Sequence, residues 1–131
     1  MKFLFRIIVL LLLLNTQSSI SKEINFDNIK SMVSSSPSRA LVEIDLLLES
    51  DSNNHNLLFL RAVTLTKLEQ KDLAIKTYIS LIEKFPKLPE PYNNLAVLYA
   101  EQNKLLEAKQ ILEEALKTNN SYSIAHINLG D

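Results

Sequence analysis

The chain has 131 residues, room for one domain and little else, and its 47% hydrophobic content suffices for a packed core even though an apolar N-terminal run raises it. A single glycine, Gly130, argues against a sheet architecture with its many tight turns, and the lack of cysteine excludes disulfides, thiolate chemistry and zinc–cysteine sites. The formal net charge is −1, and leaving out Lys2 and Arg6 takes the 14 basic residues to 12 against 15 acidic ones, so no basic stripe invites nucleic acid or an anionic membrane surface.

Residues 1–21, MKFLFRIIVLLLLLNTQSSIS, read as a targeting segment. Lys2 and Arg6 give a positive start, 7–14 is an unbroken apolar run, and Ser19 and Ser21 put small side chains where a signal peptidase requires them. The run is far shorter than the roughly 20 apolar residues of a membrane-spanning helix. A secretory signal cut before Lys22 is therefore expected, with an uncleaved N-terminal anchor as the alternative. Either outcome places the remainder in the periplasm or otherwise outside the cytoplasm.

From there the chain repeats itself. Ala40, Ala74 and Ala108 stand 34 residues apart, and Ile44, Tyr78 and Leu112 follow at matching offsets. Leu47, Leu81 and Ala115 come next, then the breaking or capping residues Ser52, Pro86 and Asn120. Upstream, the same columns hold Leu58, Tyr92 and His126, then Ala62, Ala96 and Gly130, with Leu65 matching Tyr99. In chain order this predicts a degenerate helical pair over 22–53, with a short first helix and a second from Pro37 to about Glu49. Complete pairs over 54–87 and 88–121 follow, and a partial one over 122–131. Ser36 can cap the helix that Pro37 opens, Pro86, Pro89 and Pro91 separate two copies, and Asn103 can take a left-handed turn. Leu95, Ala96 and Tyr99 share one helical face, and Ala108, Leu112 and Ala115 share the next, the small side chains letting the two helices approach closely.

These columns resemble the tetratricopeptide repeat (TPR), a helix-turn-helix with a W-x2-L-G-x2-Y half and an A-x3-F-x2-A-x4-P half. The best copy supplies Tyr92, Leu95, Ala96, Tyr99, Ala108, Leu112, Ala115 and Asn120. The copy before it supplies Leu58, Ala62, Leu65, Ala74, Tyr78, Leu81 and Pro86, but carries Arg61 where the family usually has leucine. The resemblance implies an all-α solenoid whose concave face is built from the first helix of each pair. By register that face carries Asn56, Phe59, Val63, Thr66 and Lys67, then Glu90, Asn93, Val97, Ala100 and Glu101, with Ile124 and Ile127 beyond. Ala62, Ala74, Tyr78, Tyr92, Leu95, Ala96, Tyr99, Ala108, Leu112 and Ala115 form the packing seam. A lining of mixed polarity suits an extended peptide or a helix. Packing on the neighbouring pair is an equally good role for Phe59 and Val63. Family members that grip a C-terminal carboxylate use Lys, Arg and Asn in this groove; Asn94 matches one such Asn, but Phe59, Val63 and Val97 stand beside it, so that clamp is not expected. The stretch 88–100, LPEPYNNLAVLYA, also looks like repeat segments in exported proteins of Gram-negative bacteria.

No constellation carries chemistry. His55 falls in a polar stretch at a helix start and His126 in the aromatic column, neither with a second histidine at metal-ligand spacing. The serines at 34–36 have no evident base, and Glu43, Asp45, Glu49, Glu113 and Glu114 fall on outward helix faces and read as solvated. No catalytic residue, cofactor or metal is expected, and the expected partner is a protein or peptide. Asp131 arrives partway through a first helix, which points in order to a longer protein, a partnering chain or a frayed end. The expected function is that of an adaptor or scaffold of the bacterial cell envelope. The alternatives are the repeat region of a larger exported enzyme, and a structural homo-oligomer joined through the C-terminal face.

Overall fold

The computed structural model of the protein describes residues 24–118. The expected signal over 1–21, the partial pair over 122–131 and His126 lie outside the described residues. Among the described residues there are six helices and no strand: α1 (Phe26–Ser35), α2 (Pro37–Ser50), α3 (His55–Lys67), α4 (Lys71–Lys84), α5 (Pro89–Glu101) and α6 (Leu105–Thr118).

Local chemistry sets the helix ends. The Asn25 side-chain oxygen accepts from the Asn28 N–H at 3.0 Å, and that of Asn54 from the Leu57 N–H at 3.2 Å, which satisfies one otherwise orphaned donor at the start of α1 and of α3. Pro37 and Pro89 open α2 and α5 at positions where a missing N–H costs nothing. Ser36 does sit at the N-cap of α2, but its hydroxyl makes no capping bond. It is the single residue between two helices, and its backbone N–H closes α1 by donating to the Met32 carbonyl at 2.8 Å. Ending one helix leaves its side chain out of position to begin the next.

The two turns inside the repeats are built alike. The Gln70 N–H donates to the Leu65 carbonyl and the Lys104 N–H to the Tyr99 carbonyl, each at 2.9 Å and each spanning five residues. Such a closure requires a left-handed residue just past the helix. Asn103 supplies it with φ 60°, as its sequence suggests, and Glu69 supplies it with φ 57°.

Packing follows the 34-residue columns. Ala40, Ala62, Ala74 and Ala115 are fully buried, and Ala96 and Ala108 nearly so. One apolar cluster joins Ile29, Val33, Ala40, Ile44, Leu57 and Leu60 of α1 to α3, and a second runs from Ala62 and Leu65 through Tyr78, Tyr92 and Leu95 to Leu112 and Ala115. Helix α3 feeds both, so it is buried on two sides rather than along one stripe. Each helix packs on its neighbours in sequence, with α1 also touching α3, and this nearest-neighbour stacking is what lets a short chain extend its core. Tyr99 stays half-buried against the second cluster, with the Lys104 ammonium 5.8 Å from its ring centre.

Tyr78 and Tyr92 are the largest fully buried side chains. The Tyr92 hydroxyl donates to the Pro86 carbonyl at 3.0 Å, and the Tyr78 hydroxyl accepts from the Asn94 amide at 3.1 Å. Burial pushes both phenols above the ordinary tyrosine range; the Glu114 carboxylate adds to the rise at Tyr92, while Asn94 and Thr66 oppose it at Tyr78.

Two outcomes are expected. Glu69→Gly should raise stability by about 1 kcal/mol in urea unfolding, because glycine adopts the left-handed region without the Cβ conflict, and Asn103→Gly should gain less, since asparagine already tolerates it. The folded chain holds the two phenolic protons to higher pH than the unfolded chain, whose tyrosines titrate near about 10. The tyrosine contribution is therefore complete below that pH and is lost as pH rises through the folded values. Denaturation midpoints measured from pH 8 to 11, a range chosen to straddle about 10, should fall less steeply for Tyr78→Phe than for the parent chain.

Candidate functional site

The repeat spacing places equivalent positions of α3 and α5 side by side. Val63, Thr66 and Lys67 of α3 meet Asn94, Val97, Leu98 and Glu101 of α5 around a hollow of about 170 Å³, with Tyr78 of α4 at its floor. Five of the predicted groove residues thus converge here: Val63, Thr66, Lys67, Val97 and Glu101. Val97 keeps 45% of its surface exposed, an apolar contact point facing solvent. The Asn94–Tyr78 hydrogen bond fixes the floor, and the Thr66 hydroxyl is tied back to the Ala62 carbonyl at 3.0 Å.

The rim carries both signs of charge. Glu101 pairs with Lys71 at 2.9 Å, and Lys71 also lies 3.6 Å from Glu69. The hydrogen bond it donates to Glu101, and that carboxylate's charge, hold the Lys71 ammonium above the ordinary lysine range. The pair is open to solvent, so it orients Glu101 more than it stabilises the fold. Lys67 is exposed on the same rim.

The other predicted groove residues are distributed around this hollow. Ala100 lies in an adjoining depression of about 390 Å³, where Ala96, Val97 and Ala100 face Leu105, Ala108, Lys109 and Leu112 of α6. Asn56 and Glu90 are exposed near the starts of α3 and α5, and Asn93 is half-buried. Phe59 is half-buried and packs edge-on against Tyr78, with ring centres 6.2 Å apart at 61°. Register alone assigns Tyr78 to the packing seam and does not single out Leu98; the structure gives Tyr78 both roles. The available signal was position, since Leu98 follows Val97 on the helix that forms one wall.

A third opening lies on the opposite side of α3. A shallow groove of about 490 Å³ runs between α2 and α4, bordered by Asp45, Glu49, Lys76, Thr77 and Ser80, with Leu58 and Arg61 of α3 beneath. The Arg61 Nε donates to Asp45 at 2.7 Å and an outer guanidinium nitrogen donates to the Thr77 hydroxyl at 3.2 Å. Asp45, expected to be solvated, is thus half of an inter-helix ion pair. The departure of Arg61 from the leucine column was the sequence signal for it. Among the described residues no three His, Cys, Asp or Glu side chains gather to hold a metal ion, and no helix is long and apolar enough to cross a membrane.

Comparison with known proteins agrees with this architecture. Two family profiles, both for the tetratricopeptide repeat, match residues 57–87 and 77–110. No curated protein matches the sequence. Among solved structures, a tetratricopeptide repeat protein from Parabacteroides merdae ATCC 43184 superposes with a TM-score of 0.68 at 19% identity, covering 86% of this chain and 46% of that one. YrrB, described as a TPR protein with an unusual peptide-binding site, gives 0.65 at 20% identity over 78% of this chain and 55% of its own. The Yersinia enterocolitica type III secretion translocator chaperone SycD gives 0.70 at 17% identity, over 80% and 89%. The chain spans about half the length of the first two, and identities this low speak for the fold alone. Six helices in sequential pairs, alanine seams at a 34-residue spacing and two matching profiles lead to one conclusion: residues 57–110 are tetratricopeptide repeats, and the described residues fold as an all-α solenoid of that type.

Proposed function

We propose that the chain is a non-catalytic protein-interaction module that receives an extended peptide or a helix along the face formed by α3 and α5. The observation that carries this reading is the hollow between two repeats, where exposed Val97 and partly buried Val63 flank a hydrogen-bonded floor under a rim of opposite charges. Its volume suits one anchoring side chain, and Lys67 and Glu101 can orient the residues on either side of it. The peptide-binding site of YrrB and the chaperone role of SycD support a protein or peptide partner for a fold of this kind. We further propose that the protein is exported, on the strength of the charged start, apolar run and small-residue cleavage pattern of residues 1–21, and that it serves as an adaptor of the bacterial cell envelope.

Peptides selected from a phage-displayed library of random dodecapeptides against the full chain should bind Val97→Lys about tenfold more weakly, because a charge then enters the apolar wall of the hollow. Val97 is exposed enough that helicity should not change, which circular dichroism checks. Equal binding to parent and variant would remove the groove from consideration. Export has its own readout: N-terminal sequencing of the native protein should begin at Lys22, and a native protein beginning at Met1 in the cytoplasm would refute it.

A further inference from the structure

The groove between α2 and α4 has a reference one repeat later in the same chain. There Tyr92 is fully buried, its hydroxyl bonded to the Pro86 carbonyl and lying near Glu114. The corresponding residues one repeat earlier are Leu58, Ser52 and Ser80, and all three line the groove. The neighbours that help enclose Tyr92 change in parallel, buried Leu95 corresponding to Arg61. A leucine side chain ends where the tyrosine ring continues, and the residues that would close over it are charged.

We infer that this groove receives a tyrosine side chain from a partner protein, held in the place that Tyr92 occupies in the following repeat. The lining selects for it. Leu48 and Leu58 supply apolar contact, and the Arg61 guanidinium, held by Asp45 and Thr77, presents a planar cation on which an aromatic ring stacks. Ser52 and Ser80 add polar groups to the lining, and the Ser52 main-chain carbonyl corresponds to the Pro86 carbonyl that accepts from Tyr92. An aliphatic side chain would desolvate these polar groups without replacing their hydrogen bonds. The lining carries two charges of each sign, Asp45 and Glu49 against Arg61 and Lys76, so charge favours neither a carboxylate nor an ammonium, and the apolar contacts and the guanidinium plane favour a neutral ring with a polar edge. The site lies on the opposite side of α3 from the hollow at Val63 and does not depend on the peptide face proposed above.

The test titrates N-acetyltyrosinamide into the isotopically labelled full chain and follows backbone amides by NMR. Saturable shifts at Thr77 and Ser80 are expected, with N-acetylleucinamide about tenfold weaker, in keeping with the loss of ring stacking and of the hydroxyl's partners. Leu58→Tyr should abolish the response and raise the melting temperature, because the chain's own ring then fills the groove. Should that variant fail to fold, Arg61→Leu, which copies Leu95, should fold and weaken the response about tenfold. No saturable shift, equal shifts with both amides, or an undiminished response in the folded variant would overturn the inference.

Discussion

Everything in this structure depends on two helices crossing closely enough for their backbones to form one rigid pair. Close crossing is possible only where the facing side chains are small. Ala62 and Ala74 meet that requirement in one copy and Ala96 and Ala108 in the next, all of them buried. The larger side chains beside the seam, Tyr78, Leu95 and Leu112, then fill the space between pairs and set the spacing of the stack. The position of Val63 beside Val97 follows from this, because two rigid pairs stacked in register bring equivalent residues together. The candidate face is therefore a consequence of the core and needs no loop to build it.

Most of the fold was legible because the seam imposes a period that the chain displays openly. The columns through Ala40, Ala74 and Ala108 place the helices, and Pro37 and Pro89 mark the starts of two of them. What escaped the sequence was local geometry decided by the surroundings. Asn103 advertises a left-handed turn, whereas Glu69 does not, yet both adopt it because the same closure from helix to helix demands it. Propensity at one residue yields when two packed helices fix both ends of a turn. Ser36 shows the converse, a good capping residue whose backbone is already committed to ending α1.

The candidate site was legible in part for a related reason. Register identifies the face of a helix, so five of the predicted residues do meet in one hollow. It does not say which side chain rises from the helix behind. Tyr78 reaches the floor from α4 and takes Asn94 as its hydrogen-bond partner, while Phe59 leans onto the Tyr78 ring. These are choices of rotamer and contact among neighbouring helices, and no periodicity of a single helix encodes them.

The two faces of α3 arise in opposite ways. The hollow at Val63 comes from repetition, whereas the groove at Arg61 comes from a break in it. Stability alone gives a poor account of that break. The Arg61–Asp45 pair is partly exposed, and such pairs contribute little once the ordering of both side chains is counted. The corresponding leucine in the next copy is fully buried, where an apolar side chain gains about 1.5–3 kcal/mol. An arginine at this position forgoes much of that gain and keeps a guanidinium at the surface of an open groove. In a fold where each repeat is held by the same few contacts, it is this exchange of apolar packing for exposed, directional chemistry that the proposed tyrosine site rests on.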